Sequence, residues 1–117
     1  MDIITGYRNE EHIYPQNDRD INRGIFGPDV YISALADGDR LTATVISANE
    51  ISIGAGLVVA QGCVAEVPHG TTESLTIANG SQGMQRRDLI VARYTKDAGT
   101  GIESMNLVVI TGTPAAA

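Results

Sequence analysis

Residues 87–110 constrain this chain more than any other stretch. Asp88-Leu89-Ile90-Val91-Ala92-Arg93-Tyr94 and Glu103-Ser104-Met105-Asn106-Leu107-Val108-Val109-Ile110 flank the turn-forming run Thr95-Lys96-Asp97-Ala98-Gly99-Thr100-Gly101, which predicts a β-hairpin. Residues 89–92 and 107–110 are unbroken apolar runs. A strand with apolar side chains on both faces is expected to be covered on both sides. The pair is therefore expected to form the central strands of the sheet.

The rest of the chain reads as strand and turn, apart from an N-terminal arm and one helix. Residues 1–15 carry Ile3, Ile4, Tyr7, Ile13 and Tyr14 without a clear period, and Pro15 disfavours helical angles at Tyr14, so they read as an arm. Residues 16–26 are the one helical candidate, with Asn17 or Asp18 as cap, acidic residues first, Arg23 late, and Ile21 and Ile25 on one face. Gly24 and Gly27-Pro28 are expected to stop it. From residue 29, Val30-Tyr31-Ile32 starts a strand and Asp37-Gly38 marks a turn. Leu41, Ala43 and Val45 alternate with threonines, and Ser47-Ala48-Asn49 breaks the pattern. Gly54-Ala55-Gly56 reads as a turn between Ile51/Ile53 and residues 57–60, and Gly62 as a bulge. Cys63, Ala65 and Val67 share a face up to Pro68-His69-Gly70, and residues 72–77 form a further strand before the Asn79-Gly80 turn. The fold class is therefore all-β, mainly an antiparallel sandwich or small barrel of about 6–7 strands, with an N-terminal arm and one short helix. The divisions are 1–28 (arm and helix), 29–114 (β domain) and 115–117 (tail).

Composition narrows the function. The formal net charge is −6 and the pI about 4.6. Phosphate backbones and anionic membranes require a basic face, so no nucleic acid and no membrane insertion are expected. No apolar run approaches the ~20 residues of a membrane helix, and residues 1–6 lack the basic start and apolar core of a signal peptide. The one cysteine, Cys63, allows no intrachain disulfide and sits among apolar neighbours, so a buried, inert thiol in a reducing cytoplasm is expected. With one Phe, four Tyr and no Trp, the chain lacks the ring faces on which sugars stack.

The candidate chemical constellations are weak. His12 follows Glu10 and Glu11, and His69 sits in a turn; neither has metal-ligand spacing. Asp37-Gly38-Asp39 lacks the ligands of a calcium loop, and Gly80-Ser81-Gln82-Gly83 has no lysine and no following helix. Ser74, Ser81 and Ser104 stand in no nucleophile motif. Glu10, Glu11, Glu66, Glu73 and Asp88 supply carboxylates without catalytic spacing. No cofactor and no enzymatic activity are expected. At Arg86-Arg87-Asp88, charges bracket an apolar strand; the structural reading is a strand emerging into water, the functional one an inter-subunit ion pair of Arg87 or Arg93.

Several segments carry a resemblance. Ile4-Thr5-Gly6-Tyr7-Arg8, Asp18-Arg19-Asp20-Ile21-Asn22-Arg23-Gly24-Ile25-Phe26-Gly27 and Ser47-Ala48-Asn49-Glu50-Ile51 resemble tail-region structural proteins of phages and prophages of Gram-positive bacteria. So do residues 79–94 and Gly101-Ile102-Glu103-Ser104-Met105. The resemblance spans nearly the whole chain and consists of turns and strand ends, not a catalytic motif. It implies a virion protein made in the host cytoplasm, a tail or baseplate adaptor that attaches a fibre or receptor-binding component. It implies a symmetric homo-oligomer, expected to be a trimer, with neighbouring tail proteins as further partners. Tyr7, Arg19, Ile21, Arg23 and Phe26 of the arm and helix, with Arg87 and Arg93, are the interface candidates. Members often continue past Gly112-Thr113-Pro114. The alternatives are a capsid decoration or head-fibre protein, a carbohydrate-binding receptor module, and a small cell-wall hydrolase.

Overall fold

The computed structural model describes residues 1–35 and 39–116, so the Asp37-Gly38 turn lies outside the described residues. The architecture is all-β with one short helix and, among the described residues, no closed barrel. Helix α1 (Pro15–Phe26) precedes β1 (Val30–Ser33), β2 (Ala43–Ser47), β3 (Glu50–Ala60) and β4 (Cys63–Thr76). The two-residue strands β5 (Met84–Gln85) and β8 (Ala115–Ala116) flank β6 (Leu89–Lys96) and β7 (Glu103–Ile110).

Strand β3 is the axis of the main sheet. Its N-terminal half pairs with β2 and its C-terminal half with β1, both along one edge; β4 pairs along the other, all antiparallel. The glycines at 54 and 56 do not end the strand as their pattern predicts. The register shifts between Gly54 and Gly56, and β3 continues. Strand β4 likewise runs through Pro68-His69-Gly70, because these residues fall opposite the register shift, where the missing Pro68 N–H breaks no ladder bond. What punctuates the sequence is therefore a bulge in one long strand pair and not two separate turns.

Gly62 is also not a bulge. Ala60 pairs with Cys63, leaving Gln61 and Gly62 as a two-residue turn with φ of 51° and 84°, the doubly left-handed form that suits strand twist. The helix sits on this turn. Asn22 Nδ2 donates to Gly62 O at 3.0 Å, and a Cβ at position 62 would collide with the Arg19 carbonyl oxygen. The helix begins one residue earlier than its charge pattern predicts, since proline suits the first helical position. Asn17 acts from inside the first turn, its Oδ1 accepting from the Tyr14 N–H at 2.8 Å.

The largest departure concerns β6 and β7. The hairpin expected from sequence is present, with β6 running on through Thr95 and Lys96, which were expected in the turn, but its strands are not central strands. They form a two-stranded sheet of their own, in unbroken register from Leu89↔Ile110 to Lys96↔Glu103. The physical reason is that an apolar run records which faces avoid water, and it is silent on what covers them. Residues 115–116 pair with Met84–Gln85 and so are held in a short strand.

Packing is thin for a chain of this length. Only Ile53, Ala55, Val59 and Val67 are buried hydrophobics among the described residues. The molecule measures 65 × 36 × 23 Å with a radius of gyration of 18.6 Å, against about 13 Å for a compact domain of this length. It exposes 8551 Å², where a compact monomer of its mass exposes about 6,100 Å².

Candidate functional site

Between the main sheet and the β6–β7 hairpin lies an open apolar cleft of about 530 Å³. Cross-strand register explains its walls. Val30 and Ile32 of β1 stand opposite Ala60 and Val58 of β3, and Ala43 opposite Ile53, so these side chains share one face of the sheet. On the hairpin, Ala92 faces Leu107 across the ladder and Tyr94 faces Met105, and with Ile90 they line the other wall. The two sheets thus face each other as in a sandwich, with space left between them.

Two polar clamps hold the hairpin over the sheet. At its tip, Arg19 of α1 donates to Glu103 Oε1 at 2.6 Å, and the Tyr94 hydroxyl donates to the same oxygen. The Arg19 guanidinium also lies 5.8 Å from the Tyr94 ring centroid. The hydrogen bonds from Tyr94 and Arg19 lower the Glu103 pKa, and Glu103 in turn raises those of Tyr94 and Arg19. Six residues before Glu103, Asp97 Oδ1 accepts the N–H groups of Gly99 and Thr100, which lowers its pKa and fixes the loop.

At the base, Arg86 grips Asp88 with two bonds, Nε to Oδ1 at 2.8 Å and Nη2 to Oδ2 at 2.9 Å. The same guanidinium donates to the carbonyls of Ala78 and Asn79. Asp88 Oδ1 accepts from Gly112 N–H at 2.9 Å, and a Cβ at Gly112 would overlap the Arg87 carbonyl oxygen. Both side chains of the pair are 13% exposed. The Arg86 bond, then the Gly112 N–H, hold the Asp88 carboxyl below its ordinary pKa, and Asp88 raises that of Arg86. Asp88 and Glu103 are therefore ionised structural acceptors, already engaged within the fold.

The sequence-predicted residues fall into three groups. Arg19 is engaged inside the chain. Tyr7, Ile21, Arg23 and Phe26 are exposed on the arm and helix, where Tyr7 Oη donates to Asn9 and the Arg23 side chain lies over Gly62. Arg87 and Arg93 are exposed and have no ion-pair or side-chain hydrogen-bond partner among the described residues. Arg86, Asp88, Tyr94 and Glu103, which with Arg19 form the clamps, are not among the sequence-predicted residues. The Arg-x-Asp spacing at a strand start was a usable signal for the base clamp. Nothing local signals the tip clamp, whose ion pair spans 84 residues.

Other candidates are dispersed. His12 directs its ring nitrogens at the Glu10 and Ile4 carbonyl oxygens, and no group of three metal-ligating side chains occurs among the described residues. Glu66 and Glu73 line a cavity of only about 30 Å³ beside the cleft. Cys63 is half-buried, not fully buried as its apolar neighbours predict, because it stands at the tip end where Arg19 and Tyr94 leave space. No helix of the described residues is long and apolar enough to cross a membrane. No family model, curated protein or solved structure matches the chain.

Proposed function

We propose that this chain is a non-enzymatic structural protein of a phage particle. In this reading it is a homo-oligomeric adaptor in the tail or baseplate that attaches a fibre or receptor-binding component. The observation that carries the assembly role is the surface. The chain exposes roughly 2,400 Å² more than a compact monomer of its mass, and large apolar side chains of the arm, helix and strands, Tyr7, Phe26, Ile32 and Leu89 among them, are exposed. Subunits that complete one another's core have this character. The tail location rests on the resemblance of the quoted segments.

The mechanism is binding. The clamps set the hairpin at a fixed position over the sheet, so the apolar cleft is presented with its shape already formed and little ordering cost on association. The arm and helix offer Tyr7, Ile21, Arg23 and Phe26 to a neighbouring tail protein. Gold-labelled antibody on intact particles tests the location. Label at the tail tip is the expected result. Label on the head replaces the adaptor with a capsid decoration protein, and absence of label from mature particles overturns the virion role.

A further inference from the structure

We infer that Asn79-Gly80 is a self-modifying site: the Gly80 amide nitrogen attacks the Asn79 side-chain amide, and the folded chain speeds the step through Asn49 and Arg86. Nothing in this chemistry depends on the virion role.

The sequence singles out the position. Of the six asparagines only Asn79 precedes a glycine. The reaction needs the following peptide nitrogen to reach the side-chain Cγ, and glycine, without a Cβ, hinders this least. The fold leaves the pair accessible. Both residues are exposed and lie past the end of β4, outside the strands. The Gly80 N–H has no hydrogen-bond partner among the described residues. Gly80 lines an open cavity of about 240 Å³ together with Arg86 and Asp88, with room for water.

Two neighbours act on the two halves of the reaction. Asn49 Nδ2 donates to Asn79 Oδ1 at 2.7 Å and is anchored by a second donation, to Ile77 O at 2.9 Å. It polarises the Cγ carbonyl and meets the charge that collects on Oδ1 as nitrogen adds. On the other side, Arg86 Nη1 donates to Asn79 O at 2.9 Å. That carbonyl belongs to the same peptide group as the Gly80 nitrogen. A cation on its oxygen stabilises the deprotonated amide, which is the nucleophile. Asp88 does not compete for Nη1, because it is held by Nε and Nη2.

Gly80 N gives its proton to solvent base and bonds to Asn79 Cγ. The Cγ–Nδ2 bond breaks, and Nδ2 takes up a proton and leaves as ammonia. Water then opens the cyclic imide at either carbonyl. Opening at Cγ gives aspartate, with its carboxylate beside Asn49. Opening at the former backbone carbonyl gives isoaspartate, whose chain runs through Cγ and whose α-carboxylate is the group that Arg86 already holds. Either product adds a negative charge, and the second turns a neutral acceptor of the base clamp into an ionic one.

Peptide mapping by mass spectrometry tests this on the full chain, incubated at mildly alkaline pH in its native state and in urea. Asn79 should exchange NH2 for OH at least about fivefold faster in the native chain than in urea, the share of one ordinary hydrogen bond, while the other asparagines stay intact. Asn49→Ala and Arg86→Gln should each slow the native rate and leave the urea rate unchanged. Gly80→Ala should slow both, since a Cβ at position 80 meets nothing within 4 Å and the fold accepts it. A native rate at or below the urea rate overturns the inference, as does a native rate that neither Asn49→Ala nor Arg86→Gln alters. The native and unfolded parent chains decide the matter even where a variant fails to fold.

Discussion

All four buried apolar side chains among the described residues, Ile53, Ala55, Val59 and Val67, lie on β3 and β4, while β6 and β7 bury none despite eight unbroken register pairs and equally apolar runs. The difference lies in neighbours. Strand β3 has strands on both edges, and the helix seats on its turn. The hairpin has its own two strands, two polar clamps and one flank of β7 near β4, and a two-stranded ribbon is marginally stable alone. Apolar content therefore does not predict where the monomer's stability resides. In one pair it builds the core, and in the other it stays half-buried or exposed.

Three perturbations probe this contrast. The largest effect is expected in the main sheet: Ile53→Ala removes a buried side chain and should lower unfolding free energy by about 3 kcal/mol, measured by denaturant titration. Acid comes next and acts on the hairpin. Asp88, Asp97 and Glu103 all have lowered pKa values in the folded chain, so the unfolded chain takes up protons first as pH falls. Their stabilisation is fully present above the ordinary carboxylate pKa of about 4 and is lost as pH drops through the lower folded values. Amide exchange should show β6–β7 losing protection before β3–β4 as pH drops below that value; simultaneous loss would mean that the two pairs unfold as one unit. The smallest effect is expected for Leu89→Ala, at a side chain that is 62% exposed, which should change the monomer's stability by less than about 1 kcal/mol. A cost as large as that of Ile53→Ala would show that the hairpin's outward face is covered within the chain.

The same contrast explains what was legible in the sequence. Period-two alternation and turn residues located most strands, and the hairpin bounds were nearly those observed, because both are local properties. The glycines at 54 and 56 and Pro68 were misleading. They mark strand ends in most contexts and mark a bulge here, and only the pairing partner distinguishes the two cases. Sheet membership is non-local, so equal apolar runs at 57–60 and 89–92 gave no sign that the first would hold a buried side chain, Val59, and the second none. At the site, the exposure of Arg87 and Arg93 was legible because charges that bracket an apolar strand mark where it emerges into water. The bond of Arg19 to Glu103 was not legible because the two lie 84 residues apart in the chain.

The Gln61–Gly62 turn also sets an order of events during synthesis. Residues 15–26 leave the ribosome long before residues 60–63. A helix of 12 residues is too short to persist alone in water, and its seat, with the Gly62 carbonyl that Asn22 grips, does not yet exist. A hairpin closed by two residues forms within about 1–10 μs once both strands are present. The helix is thus a latch that must wait for its strike plate, and a segment that emerges early becomes ordered only after the strand pair that follows it.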